Sequence, residues 1–179
     1  SIDELAKAEP QHPWLVDNSV PLIVTVGRLT PQKDHATLLR AVSRLNQARA
    51  CRLIIIGEGG QRSRLEGLIS SLGLEKSVQL IGNTSNPFSY VARSNVFVLS
   101  SAWEGFPNVL LEALACRTPI VSTDADGGGA AELLQGGRFG RLVPVGAPEQ
   151  LASAIREALA DPGDVQSGRR HVQAFTIER

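Results

Sequence analysis

Short apolar runs rich in Val and Ile, half of them closed by glycine, alternate along this chain with segments whose apolar residues recur every three or four positions. Leu22-Ile-Val-Thr-Val26 ends at Gly27, Arg52-Leu-Ile-Ile-Ile56 at Gly57, and Val78-Gln-Leu-Ile81 at Gly82. Val96 to Leu99, Pro119 to Ser122 and Gly140 to Val143 bring the strand-like runs to six. Unbroken β-branched runs mark strands covered on both faces. Between them, Leu38, Leu39, Val42 and Leu45 keep helical spacing behind a capping Asp34, and Leu65, Leu68, Ile69 and Leu72 do so ahead of Gly73. Pro87 and Pro107 each open a shorter helix, Ala130 to Leu134 gives another, and Leu151, Ala154, Ile155, Ala158 and Leu159 form a last amphipathic one.

Parallel neighbours need crossovers, and crossovers cover the sheet faces. The pattern therefore predicts an α/β fold: a Rossmann-like, doubly wound parallel sheet of about six strands with helices on both faces. In such sheets ligands sit beyond the carboxyl ends of the strands, where the strand order reverses. Residues 21–160 form the expected domain. Residues 1–20, polar and marked by prolines, read as an incoming linker with Trp14 and Leu15 as anchors. Residues 161–179 read as a polar tail, a crossover segment whose large apolar residues are Phe175 and Ile177.

With 42% hydrophobic residues in 179, the chain can bury one good core. A net charge of zero and a single Tyr give no support to a nucleic-acid surface. No apolar run approaches the length of a membrane span, and Ser1 to Pro10 lacks the basic and apolar parts of a secretion signal. The sequence has no Met, so a fragment of a longer protein is expected. Cys51 and Cys116 stand apart beside apolar segments and read as buried free thiols, consistent with a cytoplasmic setting.

Two stretches stand out chemically. Gly27-Arg-Leu-Thr-Pro-Gln-Lys33 places Arg28 and Lys33 just past the first strand, where two fixed cations can clamp a diphosphate. Spacing alone leaves a solvated basic loop equally open. Ser100 to Glu112 runs from the end of a strand through a loop into a helix, with Pro107 suited to the first helical position and amides from Phe106 to Val109 facing the strand end. Glu104 sits on that loop and Glu112 about a turn and a half into the helix, so their chemistry should differ. Taken singly, each is an ordinary surface or helical Glu.

Other features carry less. Gly57-Glu-Gly-Gly60 does not complete a dinucleotide fingerprint and reads as a tight turn with close backbone approach. Asp124-Ala-Asp126 imitates a two-carboxylate metal motif, but such a short pattern is common by chance and no metal is expected. His12, His35 and His171 have no mutual spacing suited to a metal, and His35 is expected on a helix surface.

Gly27-Arg28 with Lys33, Gly57-Glu-Gly59, Glu104-Gly-Phe-Pro-Asn-Val-Leu-Leu-Glu112 and Gly140-Arg-Leu-Val143 occur in an order and spacing that resemble the nucleotide-binding half of retaining GT-B glycosyltransferases of the group 1 type. The resemblance covers roughly Pro21 to Ala160. It implies a C-terminal, donor-binding domain for a nucleoside-diphosphate sugar, with no cofactor or metal, in a transferase of bacterial polysaccharide or glycoconjugate synthesis. Arg28 and Lys33 would hold the diphosphate, Glu104 the donor sugar and Glu112 the ribose. Gly82, Asn83 and Thr84 would meet the base, and Gly27, Gly57, Gly105, Phe106, Pro107, Asn108 and Val109 would complete the donor site.

An N-terminal acceptor-binding domain would be the partner. Any membrane contact would come through that missing half, and the isolated fragment would be inactive. The sequence departs from some relatives at Asp126-Gly-Gly-Gly-Ala-Ala-Glu132, which lacks a basic residue before the Glu. A sugar-nucleotide epimerase-type enzyme, a phosphorylase and a non-catalytic sugar-nucleotide binding module are the alternatives.

Overall fold

The computed structural model describes residues 1–177, with side-chain surroundings through residue 174. Six parallel strands form one sheet: β1 (Leu22–Val26), β2 (Arg52–Ile56), β3 (Val78–Gly82), β4 (Val96–Leu99), β5 (Ile120–Thr123) and β6 (Arg141–Val143). Their order is β3-β2-β1-β4-β5-β6. The chain thus builds outward from β1 through β2 and β3, then returns to lay β4 against the other side of β1. The strand order reverses between β1 and β4.

The helices are α1 (Ile2–Ala6), α2 (His35–Ala48), α3 (Arg62–Ser71), α4 (Pro87–Arg93), α5 (Asn108–Ala115), α6 (Gly129–Leu133), α7 (Pro148–Ala160) and α8 (Val165–Ile177). Alternation along the strands feeds two separate cores. Ile23, Leu53, Ile55, Val96 and Val98 face α2, α3 and α7, while Val24, Ile54, Ile56, Phe97 and Leu99 face α4, α5 and α6. Period-two side-chain direction, applied to strands with no polar face, explains why the runs read as continuously apolar. Among the described residues no helix is long and apolar enough to cross a membrane.

The residues flanking the expected domain are docked on it. Helix α1 lies on α4, with Asn86 donating to the Leu5 carbonyl and Arg93 to the carbonyls of Ala6 and Ala8. Leu15 is buried, and Trp14 lies under the guanidinium of Arg52. Within the tail, α8 packs on α5 and buries Val172, and Arg169 reaches back to Asp3 at 2.6 Å. The polar composition of both ends conceals this because arginine–carbonyl and arginine–carboxylate bonds supply much of the attachment. The side chains of Phe175 and Ile177 lie outside the described residues.

Phe97 is fully buried at the centre of the sheet, between β1 and β5. Phe97→Ala is expected to cost about 3–5 kcal/mol through lost transfer energy and the cavity left behind. Urea denaturation checks this as a lowered midpoint at unchanged slope.

Candidate functional site

The loops after β1 and β4 meet at the reversal point. After β1 the chain makes a turn at Pro31–Lys33, then Asp34 takes a left-handed conformation (φ 45°) and caps α2 by accepting from the Thr37 amide and hydroxyl. Gln32 ties this loop to the one after β4 through both its groups: the Ala102 amide donates to the Gln32 carbonyl at 2.8 Å, and the Gln32 side chain donates to the Trp103 carbonyl at 3.2 Å. A third loop, after β5, joins them. Trp103 pairs with Asp126 as an isolated parallel bridge, and the Glu104 amide donates to the Asp126 carbonyl at 3.1 Å.

These contacts bring Lys33 and Glu104 together. Lys33 Nζ lies 2.6 Å from Glu104 Oε1, with side chains 17% and 8% exposed, so this ion pair is largely withdrawn from water. Ser101 donates its hydroxyl to the same oxygen at 2.8 Å. Arg28 is exposed on the same loop as Lys33. Of the residues expected at the site, Arg28, Lys33, Glu104, Gly105, Phe106 and Pro107 all stand on the two loops that flank the reversal.

The glycines act through close approach. A Cβ on Gly57 would stand 2.0 Å from the Gly27 carbonyl oxygen, and one on Gly127 would stand 2.0 Å from the Glu104 carbonyl oxygen. Both have positive φ, so any other residue is excluded twice over. The Gly27 amide donates to Ile56 and the Gly57 amide to Gly82, which draws the ends of the first three strands together. The turn read from Gly57-Glu-Gly-Gly60 is therefore a point of backbone contact.

At the start of α5, Pro107 precedes the first helical residue instead of occupying it, with φ −81° and ψ 85°. The Asn108 amide turns back to the Phe106 carbonyl and the Leu110 amide to that of Pro107. Glu112 is half-buried on α5, and burial pushes its carboxyl pKa up. Asn83 and Thr84 follow β3, the edge strand, and line a cavity of about 470 Å³ with His12, Asn86 and Tyr90. Asp124 and Asp126 are exposed, and among the described residues no group of three metal-ligating side chains gathers there. Cys51 is buried and Cys116 half-buried; both are free thiols, pushed up to about 11 by burial.

His35 corrects the sequence reading. It is only 2% exposed, beneath the β1–α2 loop beside the backbone of Gly27 and Arg28, and its ring nitrogens complete no hydrogen bond. The first residue of a helix looks exposed in sequence, but here the preceding loop folds over it. Sequence reasoning also gave no role to Ser101, Gln32 or Thr123, whose hydroxyl and amide groups join the loops. A run of small hydroxyl residues at the end of a buried strand is the signal that marks two of them.

Fold and site together define a Rossmann-like α/β domain with a paired lysine and glutamate at its topological switch point. The family described as "Glycosyl transferases group 1" matches residues 7–174, and the chain belongs to that family. A Campylobacter jejuni relative, N-acetylgalactosamine-N,N'-diacetylbacillosaminyl-diphospho-undecaprenol 4-alpha-N-acetylgalactosaminyltransferase, is 41% identical over 139 residues, 78% of this chain and 37% of its own length. A glycosyltransferase structure from Rickettsia africae covers 97% of this chain and 49% of its own with a TM-score of 0.85, at 24% identity, so the Rossmann-like fold of this chain matches one half of a GT-B glycosyltransferase. Anabaena HepE in complex with UDP superposes with a TM-score of 0.80 at 25% identity, covering 100% of this chain and 51% of its own. The chain thus spans about two fifths to one half of these proteins.

Burial depresses the folded-state pKa of His35 below its ordinary value of 6.5. An unfolded chain takes up this proton near that value while the folded one does not, so stability is full above it and is lost as pH falls toward the folded value. As pH falls below about 6.5 the protein is expected to lose stability from this one group, at no more than about 1.4 kcal/mol per pH unit. Thermal melts across that range, set against His35→Gln, check it: the substituted chain should show the shallower slope.

Proposed function

We propose that this chain is the nucleoside-diphosphate-sugar binding half of a retaining, metal-independent glycosyltransferase whose acceptor-binding half lies in the remainder of the protein. The observation that carries this reading is the Lys33–Glu104 contact of 2.6 Å at the switch point, a cation suited to a phosphate held beside a carboxylate suited to sugar hydroxyls. Family membership and the UDP named with the Anabaena neighbour support it.

On this reading Arg28 and Lys33 hold the diphosphate. The acceptor hydroxyl attacks the anomeric carbon as the bond from that carbon to the diphosphate oxygen breaks, and the hydroxyl proton passes to the departing diphosphate. Negative charge grows on the leaving group, so fixed cations and the amide end of α5 stabilise the transition state more than the bound donor. In this scheme the two cations supply the charge neutralisation that a metal provides elsewhere. Glu104 accepts hydrogen bonds from the donor sugar and does not act as a nucleophile. Glu112 binds the ribose, and the backbone at Gly82, Asn83 and Thr84 meets the base.

Calorimetric titration with UDP, GDP and ADP tests the site. At least one nucleotide should bind, and Arg28→Ala should weaken it about tenfold or more, on the scale of one lost charge-assisted contact. Glu112→Gln gives a sharper result. Because burial already disfavours this carboxylate, the substitution should leave the melting temperature at pH 7 unchanged or raised while nucleotide affinity falls. No heat with any nucleotide, or unaltered affinity in both variants, removes the assignment.

A further inference from the structure

Two adjacent serines beyond β4 serve opposite ends of the Lys33–Glu104 pair. Ser100 Oγ lies 3.1 Å from the carbonyl oxygens of both Lys33 and Asp34 and shares its one proton between them, fixing the backbone from which the lysine extends. Ser101, fully buried, donates to Glu104 Oε1 at 2.8 Å. Its own carbonyl accepts from Thr123 Oγ1 at 2.7 Å, so the serine is held in turn. Lys33 Nζ donates to the same Oε1.

A carboxylate offers about four acceptor positions, roughly two on each oxygen. On Glu104 both protein donors fall on Oε1. Oε2 carries no hydrogen bond among the described residues, yet it is not sealed from solvent. The two oxygens are therefore distinct: Oε1 is held by two protein donors and Oε2 by none among the described residues.

We infer that Ser101 is a positioning residue for the donor sugar, holding Oε1 so that Oε2 is presented to the sugar hydroxyls. This rests on the donor-site reading above and deepens it. Lys33 alone does not hold the carboxylate, because an ammonium on a flexible stem is drawn toward a bound phosphate. The terminal torsion of a Glu side chain is broad, so a carboxylate left without a fixed donor rotates freely. Ser101 carries no formal charge and has no competing attraction to the diphosphate. It keeps the orientation while the lysine is shared.

The consequence is confined to the sugar. A bare nucleoside diphosphate makes no use of Glu104 Oε2, whereas a nucleotide sugar does. Calorimetry on Ser101→Ala and the unchanged chain would use UDP, GDP and ADP, then the glucose, galactose, mannose and N-acetylhexosamine forms of whichever nucleotide binds. Affinity for the nucleotide should stay within about twofold, while affinity for the nucleotide sugar should fall about tenfold, as for one lost hydrogen bond to a charged group. In a Glu104→Gln background the same serine substitution should leave the ratio of the two affinities unchanged, because the group it acts through is gone.

Parallel weakening of both ligands, an unaltered ratio, or an undiminished effect in the Glu104→Gln background would overturn the inference. Binding of no nucleotide by the unchanged chain overturns the donor-site reading and this inference with it. If Ser101→Ala does not fold, Ser101→Cys, close in shape and a weak donor, is held to the same ratio.

Discussion

The Lys33–Glu104 pair sets terms that the surrounding loops must meet. With side chains 17% and 8% exposed, both charges have lost most of their hydration. Withdrawing such ions from water costs several kcal/mol each, and their attraction offsets that only when geometry is good and further hydrogen bonds are present. Ser101 supplies one such bond, and the loop-to-loop bonds from Gln32, Ala102 and Glu104 supply the geometry. Gly127 and Gly129 then become compulsory. A side chain at either would run into the backbone carbonyl of Glu104 or Gly105 and push apart the loops that hold the pair.

Much of this was legible in the sequence because it follows from periodicity. The unbroken runs Leu22–Val26 and Arg52–Ile56 announced strands covered on both faces, and the glycine after each marked the turn where loops crowd together. Arg28, Lys33 and Glu104 could be singled out because they follow strands of a parallel sheet, whose carboxyl ends gather ligand-binding residues. Their pairing could not be read in the same way. Lys33 and Glu104 are 71 residues apart, and only the strand order, with β4 laid beside β1, makes them neighbours.

The failures share a cause. His35 looked like a surface residue because helical periodicity says nothing of a loop folding over the first turn, and that loop owes its path to Asp34 in a left-handed conformation. Pro107 was expected inside α5 but precedes it, since the chain turns at Phe106 before the helix begins. The contacts that hold the expected linker and polar tail on the domain, through Arg93 and Arg169, are likewise invisible in local pattern, because the polarity of these residues suggests solvent. In each case tertiary contacts at a chain reversal decided the outcome, and local pattern carries no trace of them.

A site whose lysine already has a partner differs physically from one with a bare cation. An unpaired ammonium in a half-buried loop would bind any anion; paired with Glu104, it presents little net charge until a ligand arrives that engages both groups. On the donor-site reading, a phosphate alone competes with Glu104 for Lys33, whereas a nucleotide sugar gives the lysine its phosphate and the carboxylate its hydroxyls together. The pair therefore favours intact donor over free nucleotide or inorganic phosphate. As the bond to the sugar breaks, charge grows on the diphosphate and the lysine is drawn further toward it. The carboxylate's orientation then depends on the neutral hydroxyl of Ser101, the one donor to Oε1 that the developing charge does not pull away.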